Sequence, residues 1–123
     1  MRIVGTVTLD ELTVRLREFT AARDWEQFHT PKNLAMALAG EVGELLAELQ
    51  WLTPQEADGV MADPQAAARM RSELADVTIY LVRLADKLGV DLIEAALAKL
   101  AEGEVRYDVE HYRGSSRKAP HLS

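Results

Sequence analysis

The chain has 123 residues, a length that fits one domain around one core, and 48% of them are apolar, as in an ordinary soluble domain. It has no cysteine, which excludes disulfides and thiolate metal sites, and its net charge of −6 argues against a nucleic-acid-binding surface. No apolar run reaches membrane-spanning length and the N-terminus carries no signal-peptide core, so a cytoplasmic protein with no membrane partner is expected. A nucleotide substrate stays open, because a bound cation reverses the local sign of charge.

Residues 1–7 read as an extended arm or leader. Thr8 then opens a helix, with Glu11 at the capping-box position and Leu9, Leu12, Leu16, Phe19 and Thr20 forming a stripe at helical spacing. That helix is expected to run to about Arg23. Residues 24–30, DWEQFHT, form a connector unusually rich in large side chains. Thr30-Pro31 restarts the helix as N-cap and first residue, and the second helix is expected to reach Leu52. Thr53-Pro54 with Glu56 repeats the start signal, but Gly59 cuts that segment to a short turn. Asp63-Pro64 begins the third long helix and Gly89 ends it. Asp91, with Glu94 three residues on, caps a fourth, and Gly103 is a weak point near its end. The rest, through Ser123, is polar and basic, with 108–123 read as a tail. No strand alternation of useful length follows residue 8. The expectation is an all-α, four-helix-bundle-like single domain over 1–123.

The second helix organises the rest. In 33–52, NLAMALAGEVGELLAELQWL, the only charged residues are Glu41, Glu44 and Glu48. At about 100° per residue they fall within roughly 60° of one another, on the face of Leu34, Ala37, Leu38, Leu45 and Leu52. The opposite face carries Met36, Gly40, Gly43, Ala47 and Gln50, so the helix is expected to be buried nearly all round. One chain of this size does not cover both faces, and a homodimer or a dimer of dimers is the natural way to do so. The third long helix repeats the spacing with Glu73 and Asp76, followed one turn later by Tyr80. If the helices pack face to face, four carboxylates converge. Each like-charged pair at about 6 Å and an effective dielectric of about 20 costs nearly 3 kcal/mol. Six such pairs exceed the whole stability of a typical domain. The acids therefore stay apart, take up protons, or hold a divalent cation, for which oxygen-only ligation suits Mg²⁺ or Mn²⁺.

The segments WEQFH with Pro31 and Asn33, EVGELLAELQW, and ELADVTIYLVRLADKLGVDL together resemble the MazG-like all-α nucleoside triphosphate pyrophosphohydrolases, and within them the dCTP pyrophosphatase group. The similarity covers about residues 19–100. It implies a helical homodimer or homotetramer that cleaves a nucleoside triphosphate between the α and β phosphates with Mg²⁺, leaving the monophosphate and pyrophosphate. It makes Glu41, Glu44, Glu73 and Asp76 the catalytic metal ligands. Trp25 and Trp51 would line the base pocket, with Glu26, Gln27, Phe28 and His29 in its wall, and Tyr80 would contact the sugar or a phosphate. Glu48 has two readings, an outer ligand or an ion pair with a basic side chain. Glu44 and Glu48 are both candidates for activating water. The sequence departs from the family at Gly103 and Asp108, where members often carry Asn and Pro, and at Leu16, where relatives on the dCTP side can have His.

Two other readings remain at this stage. One stays among enzymes: an all-α pyrophosphohydrolase of dUTP or of a phosphoribosyl nucleotide. The other is a non-catalytic helical interaction module whose acids bind a structural cation or a basic partner.

Overall fold

The computed structural model describes residues 6–121, and within them every regular element is helical. Most of the expected 1–7 arm therefore lies outside the described residues. The chain divides into two compact units at Gly89.

The first unit contains α1 (Leu9–Ala22), α2 (Pro31–Leu49), the short α3 (Pro54–Asp58), a 3₁₀ turn at Val60–Ala62, and the long α4 (Pro64–Leu88). The starts follow the capping chemistry. Thr8, Thr30, Thr53 and Asp63 each accept a backbone N–H of the first turn, satisfying donors that a helix start otherwise leaves open. Thr53 and Glu56 close a full capping box. Gly89 ends α4 in the left-handed region at φ +68°, where a side chain would be strained.

The second helix stops at Leu49, three residues before the expected Leu52. Residues 50–52 form a turn in which the Leu52 N–H reaches Leu49 O, and Thr53 is already committed to capping α3.

Packing is built on α4. It lies along α2 and also meets α1 and the 3₁₀ turn. The core holds Leu16, Leu34, Ala66, Ala67, Met70, Val82 and Ala85. Alanines at 66, 67 and 85 let helix backbones come close. Helix α2 is not buried all round within one chain. Only Leu34 is fully buried, while Met36 is 63% and Leu46 57% exposed and Gly40, Gly43 and Ala47 are open. Its acid-bearing face turns toward α4, and the face of small residues is left without cover from its own unit.

The second unit contains α5 (Leu92–Arg106) and α6 (Val109–Tyr112). Helix α5 runs through Gly103 rather than stopping there, and the Tyr107 N–H closes its end on Gly103 O. Helix α6 was not expected in the polar tail. Asp108 caps it by accepting the His111 N–H, and Tyr107 meets Tyr112 edge to face at 5.1 Å. Arg106 donates to Ala119 O and Pro120 O, holding the following chain back against the helix end.

Candidate active site

Three of the four expected acids meet. Glu41 on α2 and Glu73 and Asp76 on α4 each place a carboxylate oxygen within 4.8 Å of the others. All three residues are half-buried. Among the described residues Glu41 Oε2 and Glu73 Oε2 are buried with no hydrogen-bond partner. Two such oxygens in one cluster leave acceptor capacity that a cation could use.

Electrostatics agree. Burial, then the neighbouring charge of Glu44, pushes the Glu41 carboxyl up to about 6, with Asp76 and Glu73 adding to the repulsion. Burial and Glu44 raise Glu73 as well. Glu44 is exposed at the rim of the cluster. Three converging carboxylates with unfilled acceptor capacity and no paired cation among the described residues fit a hard divalent ion. Glu48 is one turn too far along α2 to join them: it accepts from Arg69 Nε at 3.0 Å. Of its two readings, the ion pair is the one present.

Asp76 also lines a cavity of about 330 Å³ in the same unit. Its other walls are Leu16, Phe19, Thr20 and Arg15 from α1, Trp25 and His29 from the connector, and Ile79, Tyr80 and Arg83 from α4. Trp25 meets Phe19 edge to face at 5.7 Å, and the Arg23 guanidinium covers the Phe19 ring at 3.7 Å.

The connector is fixed by an ionic network. Arg83 is only 2% exposed and donates to Glu26 Oε1 at 2.9 Å, to Asp86 Oδ2 at 3.1 Å, and to His29 Nδ1 at 3.3 Å. Glu26 also accepts from Thr20 and Lys87, and these partners hold its carboxyl down at about 2. Arg17 grips both oxygens of Asp86, and that pairing lowers the Asp86 carboxyl.

The expected site residues thus separate. Glu41, Glu73 and Asp76 converge with Glu44 beside them, and Trp25, His29 and Tyr80 line the adjoining cavity. Glu26 anchors the connector to α4. Gln27 turns back to Asp24 O, and Phe28 is exposed with its carbonyl taken by Asn33. Trp51 is 86% exposed and does not line the cavity of its own chain. Sequence reasoning missed Arg15, Phe19, Thr20, Ile79 and Arg83 as cavity residues, having read Phe19 and Thr20 only as part of a helix stripe. Arg83 carried one signal, a cation at position 83 between the apolar Val82 and Leu84 on α4. A second acid group, Asp108 with Glu110 and His111 in the second unit, is largely exposed, and its imidazole is already bonded to Asp108.

Comparison with known proteins gives the family. The model of the MazG-like family matches residues 37–122. The chain is 47% identical over 112 residues to the dCTP pyrophosphatase 1 of Bos taurus, covering 90% of this chain and 66% of that protein. It is 46% identical over 115 residues to the dCTP pyrophosphatase 1 of Homo sapiens, covering 94% of this chain and 68% of that one. The chain therefore spans about two thirds of the length of these relatives. The crystal structure of a pyrophosphatase from Archaeoglobus fulgidus superposes with a TM-score of 0.76 at 37% identity, covering 87% of this chain and 99% of that one. With its acid cluster, its helical architecture and these relatives, the chain belongs to the MazG-like family and stands with its dCTP pyrophosphatase group.

Proposed function

We propose that the protein is a Mg²⁺-dependent nucleoside triphosphate pyrophosphohydrolase acting on dCTP or a modified dCTP, releasing the monophosphate and pyrophosphate. The observation that carries this reading is the double membership of Asp76, which belongs both to the carboxylate cluster and to the wall of an aromatic-lined cavity. A cation site and a pocket of a size suited to a base and sugar thus share one residue. The names of the similar proteins support dCTP as the first substrate to try.

Glu41, Glu73 and Asp76 would hold the cation, with Glu44 as the fourth carboxylate. When bound, Mg²⁺ supplies positive charge against the phosphates and lowers the pKa of water. Trp25 and Phe19 give the cavity aromatic walls for a base, and Tyr80 and Arg15 line the same cavity for the remainder of the nucleotide. Water attacks phosphorus, the α–β anhydride bond breaks, and a carboxylate takes the proton. Glu44 is the carboxylate we assign to that role, since Glu48 is held by Arg69. The uncovered face of α2 and the exposed Trp51 support assembly as a homodimer or tetramer.

The test is incubation with a panel of canonical and modified deoxynucleoside triphosphates, dUTP included, with and without Mg²⁺. Pyrophosphate is expected from dCTP or a modified dCTP, and only with the cation. Release of no pyrophosphate from any triphosphate would leave the interaction module as the better reading. Preference for dUTP would move the protein to the other enzyme reading.

A further inference from the structure

We propose that Arg83 is a positioning residue for substrate selection: it fixes His29 as the Nε2–H tautomer, so that the cavity wall offers a ligand a hydrogen-bond donor at this point. The inference rests on the nucleotide reading above and adds a rule for which base edge fits.

The geometry carries it. An arginine has donors and no acceptor, and it does not lose its proton in a protein. Arg83 Nε donates to His29 Nδ1 at 3.3 Å, so Nδ1 must be the lone-pair nitrogen of the ring. A neutral imidazole then carries its proton on Nε2. Among the described residues Nε2 has no hydrogen-bond partner, and His29 lines the cavity. Arg83 cannot swing away to release the ring. Its side chain is 2% exposed and its other nitrogens are taken by Glu26 and Asp86, from the connector and from α4. Burial and the Arg83 charge, with Lys87 adding to them and Glu26 opposing, hold the imidazole below its usual range and so favour the neutral form. The ring also lies 6.4 Å from the Trp25 ring, tilted at 40° to it, and both rings line the cavity.

A fixed donor selects for an acceptor at the atom of the base edge that faces it. It pairs with a ring nitrogen lone pair or a carbonyl oxygen and meets an N–H with two donors face to face. In cytosine N3 is an acceptor, whereas in uracil and thymine it carries hydrogen. Uracil and thymine also offer carbonyl oxygens, so a wall that presents N–H favours cytosine over them where N3 is the atom that faces His29, and a donor left facing a donor there costs about tenfold or more in affinity.

The experiment is ¹⁵N NMR of histidine-labelled protein without metal, with resonances of His29 assigned by their loss in His29→Gln. The native protein at neutral pH is expected to show one unprotonated Nδ1 and one protonated Nε2. Adding a non-hydrolysable α,β-imido analogue of dCTP should shift Nε2 and leave Nδ1 nearly still. In Arg83→Met the fixed pattern should be lost and KM for dCTP should rise about tenfold, with kcat changed far less. Arg83→Lys, which keeps a buried cation and donor, should restore most of both. An Nδ1–H tautomer in the native protein, or an Arg83→Met protein with lower melting temperature but unchanged KM, would overturn the inference. The native spectrum decides the tautomer even if the variant fails to fold. Failure of every triphosphate to bind removes the parent reading and this donor role with it. Binding and hydrolysis with Nε2 unmoved removes only the role of His29.

Discussion

Helix α4 carries two groups of charge, and they are built on opposite rules. Around Arg83, each acid is answered by the chain: Glu26 by Arg83, Lys87 and Thr20, Asp86 by Arg83 and Arg17. Both carboxyls sit below their ordinary range. About two to three turns nearer the N-terminus, Glu73 and Asp76 meet Glu41 with no cation among the described residues, where two oxygens are buried without a partner. The carboxyls of Glu41 and Glu73 rise instead. One helix thus holds a balanced network, which fixes a loop, beside an unbalanced group of acids, which in the proposed function takes the cation. The lesson is that charge imbalance, rather than charge density, separates a binding site from a structural ion pair.

The largest effect should come from disabling the unbalanced group. Glu41→Gln keeps shape and removes a ligand charge, and Mg²⁺-dependent pyrophosphate release is expected to fall by at least about a hundredfold with the circular dichroism spectrum unchanged. Retained turnover would separate Glu41 from the metal. Next comes the balanced group. Asp86→Ala leaves Arg83 with one carboxylate fewer in a buried position, and unfolding in urea should show a loss of about 3 kcal/mol. A loss below about 1 kcal/mol would mean that Glu26 alone satisfies the guanidinium.

Acidity should divide the two groups by sign. Glu41 binds its proton more tightly folded, at about 6, than unfolded, near 4.5, so its contribution to stability is complete below about 4.5 and disappears as pH rises through 6. Glu26 is the reverse: its contribution is present above about 4.5 and is lost as pH falls toward 2. The gain in melting temperature on adding Mg²⁺ should therefore grow as pH rises through 6. A gain that is flat between pH 5 and 7.5 would argue that Glu41 is not in the cation site. The smallest effect belongs to the neighbour that looks most like a site residue by spacing. Glu48→Gln breaks an exposed pair with Arg69 and should change stability by less than about 1 kcal/mol, with kcat near the native value. A collapse of kcat in this variant would make Glu48 a participant after all.

Much of this arrangement was legible in the chain, because its signals are local. Thr8, Thr30, Thr53 and Asp63 announce helix starts through their own side chains, and Gly89 announces an end through its backbone. The spacing of Glu41, Glu44, Glu73 and Asp76 on apolar faces pointed to four converging acids if the helices packed face to face, and three of them converge while Glu44 stays exposed beside them. What depended on distant partners was not legible. Whether Glu48 faced a cation or an arginine turned on Arg69, 21 residues away. The hub at Arg83 joins groups 54 and 57 residues apart, and no periodicity reports such a junction. The short α6 was hidden by a polar composition that a single Asp108 cap outweighs. The end of α2 was misread because apolar residues continue past Leu49, whereas the backbone had already turned to serve the next cap.

The chain's two tryptophans differ in their surroundings, and that gives it a pair of built-in optical reporters. Trp25 forms part of the cavity wall, while Trp51 stands 86% exposed beyond the end of α2. Quenching by an added nucleotide should follow the first, and a blue shift in emission with rising protein concentration should follow the second. Replacing each in turn by phenylalanine would let occupancy and self-association be read separately by fluorescence, in one cuvette and without a label.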